Sequence, residues 1–493
     1  MIICKNIVFL QSIIMDTLKE KTAKGLFWGG LSNGIQQLLN LIFGIFLARL
    51  LSQSDYGMIG MLAIFSALAG ALQEGGFISA LNRKKDAMHK DFNAVFWTNT
   101  IMGLSLYIIL FLCAPLIARF YDIPELAPLA RFIFIGLFIS SLGIVPTAIM
   151  YRNMMVREQA ICTFSSQFIS GIVAILLAAN GFAYWGIAIQ SILYTSISTL
   201  LKYHFIKWHP TMSFDISPVK SMIGFSSKLI ITNMFNAING NIFPILLGKL
   251  YTPREVGNYT QANKWNTMGS TLVNNMVGGI SQPVFAQTDD DVTRQKRVFR
   301  KLLRFTAFAS FPAMFGLALV AKEFIVILLT EKWLESAVMM QVLCIGGAFI
   351  PISGLFSNLI ITRGHSATYM WCTIALCLLQ LLAALLSAPY GIHTMIIVYV
   401  AITIGWIFVW HHFAHNEINI SLSEVLKDIS PYLILSVVFV GIAHILTYNI
   451  SNLYLSFGLK VLIVSIAYCL SLWVLNSIIF KEFIAYITQR TLK

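Results

Sequence analysis

Four carboxamides, Asn33, Gln36, Gln37 and Asn40, stand at i, i+3, i+4 and i+7 inside an otherwise apolar run. That spacing puts them on one face of a helix. Gln73 and Glu74 follow in the next apolar run. Lys228, Thr232, Asn233, Asn236, Asn239 and Asn241 share a later one, and Asn258, Gln261, Asn263, Lys264, Asn266, Asn274 and Asn275 the run after it. Amides donate and accept hydrogen bonds, and an ammonium group donates and carries charge. Polar groups are costly within apolar helices, so their concentration in four runs marks candidate binding surface. Two lysines, Lys228 and Lys264, against one glutamate, Glu74, favour an anionic guest. Glu74 is either an ion-coupling site or the partner of a lysine. The plainer alternative is that amides join helices to one another in lipid, and that Lys228 reaches for the nearer interface. Lys460, close to the end of its run, is expected to do the same.

The runs that must position these groups dominate the chain. Of 493 residues, 57% are hydrophobic and 11% charged, with a mean hydropathy of +0.77. Soluble domains carry about 25% charged residues. The composition is that of an all-α polytopic membrane protein. Its runs are continuous rather than alternating, which excludes a membrane barrel. Fourteen of them reach the roughly 20 residues that span a bilayer, among them 25–48, 184–206, 256–286, 334–361 and 455–480. The eighth, 256–286, is polar at both ends. If the N-terminus is placed on one side, 24 of the 34 Lys and Arg residues fall on that side and seven on the other. Cytoplasmic loops carry the excess of Lys and Arg, so both termini are expected in the cytoplasm. The net charge of +13 has the same origin and does not point to nucleic acid.

A short phrase is written twice. Residues 47–57 read LARLLSQSDYG and residues 247–257 read LGKLYTPREVG. Ser52 with Asp55, and Thr252 with Glu255, have the form of capping boxes, and Pro253 fits the first helical position. Each phrase ends an odd-numbered helix and starts the next. The repeat unit is therefore six helices, and an even number makes the copies parallel. The predicted layout is a cytoplasmic N-terminus over 1–24, an N-lobe over 25–206 and a cytoplasmic linker over 207–220. A C-lobe over 221–413, two further helices within 430–480 and a cytoplasmic tail over 481–493 complete it. The two six-helix lobes are pseudo-symmetric, and such pairs hold a guest between them and open to one side at a time. Residues 1–14 are too short to span and lack a small-residue cleavage site. They read as an upstream-start extension ahead of Met15, or Met1 is the true start.

The segments KEKTAKGLFWGGLSNGIQQLLNLIFGIFLARLLSQSDYGMIGML, QEGGFISALNRK, ILLGKLYTPREVGNYTQANKW and EKWLESA resemble the bacterial polysaccharide and O-antigen flippase-like family. That family belongs to the multidrug/oligosaccharidyl-lipid/polysaccharide exporter superfamily. The resemblance covers most of residues 15–410, and the last two helices share only hydropathy. It implies an inner-membrane protein that moves lipid-diphosphate-linked oligosaccharide from the inner to the outer leaflet by alternating access. The bilayer is its surroundings and glycan polymerase machinery a further candidate partner. It also implies a cationic cavity, for which Lys228 and Lys264, with Asn33, Gln37, Asn40 and Asn236, are the candidate substrate-binding residues and Glu74 the candidate coupling residue. Many relatives have an aspartate near NGNIFP in the seventh helix. This chain has Asn239, Asn241 and Phe243, which departs from the pattern behind ion coupling there.

Two other readings compete. A cation-coupled multidrug exporter of the same superfamily would use buried acids and twelve helices. A membrane glycan polymerase or ligase would present chemistry in sizeable outer loops, and here those loops are short. No P-loop, HExxH or nucleophile elbow is present, so the chain is not expected to be an enzyme or to need a cofactor. His411 and His415 share a helix face without a carboxylate arranged beside them, so no metal site is assigned. The seven cysteines form no CxxC pair and read as small core residues.

Overall fold

A computed structural model describes residues 34–74, 77–78, 81, 84, 87–213, 215, 217–477 and 479–482, with side chains except at Glu74 and 218–229. The described residues form helices and no strand. The first half comprises α1 (Gly34–Leu50), α2 (Gln53–Glu74), α3 (His89–Tyr121), α4 (Leu126–Arg152), α5 (Val156–Ala179), α6 (Tyr184–Phe205) and α7 (Ser217–Leu250). Then come α8 (Pro253–Ala286), α9 (Val292–Leu319), α10 (Ala321–Leu329), α11 (Leu334–Gly347), α12 (Ile350–Thr362), α13 (Ser366–Ser387), α14 (Ile392–Ile418), α15 (Leu422–Thr447) and α16 (Leu453–Val474).

Among the described residues, each of the fourteen predicted runs overlaps a helix. Among the described residues, eleven segments are long and apolar enough to cross a membrane, with α11 and α12 counted as one. The other three are α1, α6 and α8. α1 is shorter within the described residues, while α6 and α8 are diluted by amides and hydroxyls. The tenth run, predicted as one helix over 334–361, is two. It breaks after Gly346 and Gly347, and Pro351 starts α12 where its missing N–H costs nothing. Gly347 has a packing reason as well: a Cβ there would overlap the Asn266 amide of α8.

Both copies of the repeated phrase are capping boxes. The Ser52 N–H donates to Asp55 Oδ2 at 2.8 Å, and the Asp55 N–H returns to Ser52 Oγ at 3.2 Å. The Thr252 N–H donates to Glu255 Oε2 at 2.9 Å and the Glu255 N–H to Thr252 Oγ1 at 3.4 Å, with Pro253 opening α8. Each box satisfies orphan N–H groups at a helix start.

The chain divides into two compact units, Met1–Asn241 and Ile242–Lys493, with the division inside α7. In the first, α3 is 33 residues long, about 50 Å, against a hydrocarbon core of about 30 Å. Its starting turns hold the segment that follows α6. Asn93 donates from Nδ2 to the Ser213 carbonyl and accepts the Thr211 N–H at 2.8 Å. Trp97, one turn on, donates from Nε1 to the Thr211 carbonyl at 2.7 Å. The Trp208 ring lies 5.7 Å from both Phe96 and His89. An extended segment has no hydrogen bonds of its own, and a stripe of side chains at i and i+4 supplies them. Asn93→Leu should therefore loosen residues 207–213 by about 1–2 kcal/mol through the lost bonds to Thr211 and Ser213. Trypsin cleavage after Lys207 should accelerate roughly 5–30-fold, with the rest of the digestion pattern unchanged.

In the second unit, α15 and α16 are fastened to α9 and α10. The Phe308 ring of α9 sits 6.2 Å from both Tyr432 and Tyr468, and Tyr468 Oη donates to the Phe308 carbonyl at 3.1 Å. Leu319 and Val320 bury against Ala443 and Val464. At one end Lys296, Arg300 and Arg304, spaced i, i+4 and i+8 on α9, meet Glu424 and Asp428, spaced i and i+4 on α15. Asp428 takes Arg300 Nε at 2.6 Å and Nη2 at 3.0 Å, and Arg304 Nε at 2.6 Å. Glu424 takes Lys296 Nζ at 2.8 Å and Arg300 Nη1 at 3.2 Å. At the other end Lys460 of α16 donates to Glu323 of α10, which also accepts Ser456 Oγ at 3.1 Å. Lys460 is thus not a side chain reaching for the interface, as expected from its position. It is 8% exposed and paired with an acid far back in the sequence.

Candidate functional site

The polar face of α8 is built on a helix that begins with a capping box and carries amides nearly every turn. The structure splits this set. Asn258, Gln261 and Asn266 are buried. Asn258 donates to Glu335 at the start of α11 and accepts Ser336 Oγ at 3.1 Å, so it joins helices, as amides in lipid commonly do. Asn358 of α12 accepts Gln282 Nε2 and donates to Ser281 Oγ, both at 2.9 Å, and extends the same seam along α8. The reachable members are Asn263, Lys264 and Asn274, half-buried, and Asn275, exposed.

Lys264 stands apart chemically. Its Nζ lies 5.6 Å from the ring centroid of the adjacent Trp265, and it has no carboxylate partner among the described residues. An ammonium in a helix within the bundle needs water, an acid or an anionic guest, and an aromatic face supplies only part of that. The described buried carboxylates are already engaged. Asp91 pairs with Lys84 at 2.8 Å, Glu323 with Lys460, and Asp428 with two arginines.

Of the other predicted site residues, Gln37 and Asn40 are half-buried on α1, and Asn236 is exposed on α7. Asn33 and the side chains of Lys228 and Glu74 lie outside the described residues. Gln73, beside Glu74, is 1% exposed and donates to the Leu137 carbonyl of α4 at 3.1 Å, so it is a packing group. None of Gln37, Asn40, Asn236 and Lys264 is hydrogen-bonded to another of them. Asn236 and Lys264 belong to different units.

Long apolar helices, some carrying amide faces, define a multi-pass helical membrane protein. The model of the polysaccharide biosynthesis protein family matches residues 46–338, and the chain belongs to that family. It is 23% identical over 355 residues, 71% of each chain, to the lipopolysaccharide biosynthesis protein WzxC of Escherichia coli K12. It is 24% identical over 435 residues to the teichuronic acid biosynthesis protein TuaB of Bacillus subtilis 168, covering 85% of this chain and 88% of that one. Among solved structures, the fold is similar to the lipid II flippase MurJ in an inward closed conformation. The TM-score is 0.76 at 16% identity, over 92% of this chain and 99% of that one. It is also similar to an inward-facing MATE family multidrug resistance transporter of the MOP superfamily. There the TM-score is 0.64 at 17% identity, over 80% of this chain and 96% of that one. The resemblance read from residues 15–410 thus agrees with both family and fold.

Proposed function

We propose that this protein is a flippase that moves a lipid-diphosphate-linked oligosaccharide from the inner to the outer leaflet of the cytoplasmic membrane. The observation that carries the reading is Lys264, a cation without an acid partner on an amide-bearing helix. A diphosphate cannot cross hydrocarbon unaided, because burying its charge without partners is prohibitive. An ammonium replaces part of its water shell, and the amides of α8 beside it offer bonds to sugar hydroxyls. The lipid tail stays in the bilayer. Exposure of this surface first to one side and then to the other completes transfer without any covalent step. WzxC and TuaB, named for lipopolysaccharide and teichuronic acid biosynthesis, and MurJ, named for lipid II, support the class of cargo. A multidrug exporter coupled to cations is less favoured, since the described buried carboxylates are all ion-paired.

The test is leaflet transfer in proteoliposomes with a prenyl-diphosphate oligosaccharide. Lys264→Ala should slow transfer at least tenfold, roughly the 1.4 kcal/mol of one modest charge contact. Lys264→Arg should keep much of the rate. Equal rates for Lys264→Ala and the unaltered protein would remove this residue from the mechanism. Lengthening of the glycan by the purified protein would establish an enzyme instead.

A further inference from the structure

Arg363 closes α12, and its side chain is only 15% exposed. One edge of the guanidinium is used. Nη1 donates to the Asp289 carbonyl at 3.0 Å and lies 3.0 Å from Asp289 Oδ1. The opposite edge is not. Nε and Nη2 are both buried and have no hydrogen-bond partner. Burying charged N–H groups without acceptors is among the more expensive arrangements in a protein. These two nitrogens are the pair that point the same way, spaced to match two oxygens of one carboxylate or phosphate. The same chain shows that match made: Arg300 uses Nε and Nη2 for the two oxygens of Asp428 while Nη1 serves a second acid, Glu424. Arg363 has the second acid and lacks the first.

We infer that the unused edge of Arg363 is a receptor for the oxyanion of a phosphate ester. The position selects phosphate over other oxyanions. Arg363 lies in the turn between two candidate membrane spans, Glu331–Thr362 and Ser366–Tyr390. That is the level at which bilayers present phosphate groups. Gly364, at φ 86°, turns the chain immediately after it, and residues 364–367 are exposed. His365 holds the turn to α14 through Glu417 at 3.1 Å. Neither free nitrogen has accessible surface in this state, so binding requires the groups over the fork to move aside. Two sources share the chemistry: an ordinary anionic phospholipid, and the diphosphate of the proposed substrate. Only the second rests on the proposed function.

The experiment is thermal unfolding of the full chain in neutral detergent, titrated separately with phosphatidylglycerol, with a long-chain prenyl diphosphate and with inorganic pyrophosphate. At least one of the phosphate-bearing lipids should raise the unaltered protein's Tm by several degrees. Arg363→Lys keeps the charge and loses the fork, and should lose more than half of that shift. Arg363→Met should lose all of it. A shift confined to phosphatidylglycerol identifies a bilayer lipid and leaves the transport reading untouched. A shift confined to the prenyl diphosphate identifies the cargo. An undiminished shift in Arg363→Lys overturns the inference, as does no shift with any of the three in the unaltered protein. If Arg363→Met does not fold, the lysine variant decides alone.

Discussion

Asp428→Ala is expected to cost about 3 kcal/mol, the lower end of what removing one partner of a buried pair costs. The carboxylate side chain is 3% exposed and accepts from two arginines, one of them through both of its oxygens. Its removal takes the acid partner of Arg304 and leaves Arg300 only its contact with Glu424, at the junction of α9 and α15. Arg300 and Arg304 are 27% and 36% exposed, so water recovers part of the loss, which places the estimate low in the range. For a unit of this size about 3 kcal/mol corresponds to a Tm fall of roughly 6–12 °C. Thermal unfolding in detergent measures it, and trypsin cleavage after Lys427 should rise in parallel. Glu482→Ala is the control. Its bond to Lys301 at 2.8 Å is just as short, but the two side chains are 50% and 61% exposed. Such pairs contribute at most about 1 kcal/mol. Similar losses in the two variants would show that burial does not decide the strength of these bridges.

The contrast bears on what the last two helices are. By hydropathy they are an appendix to two six-helix lobes. In the structure they are fastened by charge at both ends and by Phe308, Tyr432 and Tyr468 between. Salt bridges of this kind specify one docking more than they stabilise it, since apolar packing alone would permit several registers. The proposal for this protein is that the two clamps set which faces of α15 and α16 turn toward α9 and α10.

Hydropathy made the helices legible because a bilayer leaves the chain little choice: backbone groups must bond within each segment. The capping boxes at Ser52 and Thr252 were legible because their chemistry is local, spanning four residues. What distance hides was not. Lys460 looked like a side chain reaching for water, since its partner Glu323 lies in a segment with the appearance of an outer loop. Arg300 falls among the 24 cations on the side of the N-terminus, which hides its pairing with Asp428. The spacing of Lys296, Arg300 and Arg304 by four, mirrored by Glu424 and Asp428, was its available signal. The α8 amides misled differently. A helix that is polar on several faces has no single stripe, so periodicity could not separate Asn258, turned to Glu335, from Lys264. Arg363 left no signal at all, because an unused edge exists only in three dimensions.

Membrane potential should set the direction of transfer and leave its end point indifferent to mutation. A prenyl-diphosphate diester carries two negative charges, and moving both outward across 100 mV, inside negative, gains about 4.6 kcal/mol. That is a roughly thousandfold bias in the leaflet ratio. The cations of the protein cannot add to it. Over a complete cycle Lys264 returns to where it began, so the field does no net work on it. Its charge only divides the total between the loaded step and the empty return. In proteoliposomes with an imposed potassium diffusion potential, outward accumulation should rise as the inside becomes more negative and reverse when the sign is reversed. Lys264→Gln should approach the same leaflet ratio more slowly. A ratio indifferent to potential would mean that two compensating positive charges cross with the substrate. A ratio that differs between the variant and the unaltered protein would mean that Lys264 alters the number of ions moved per cycle, a coupling role and not a binding one.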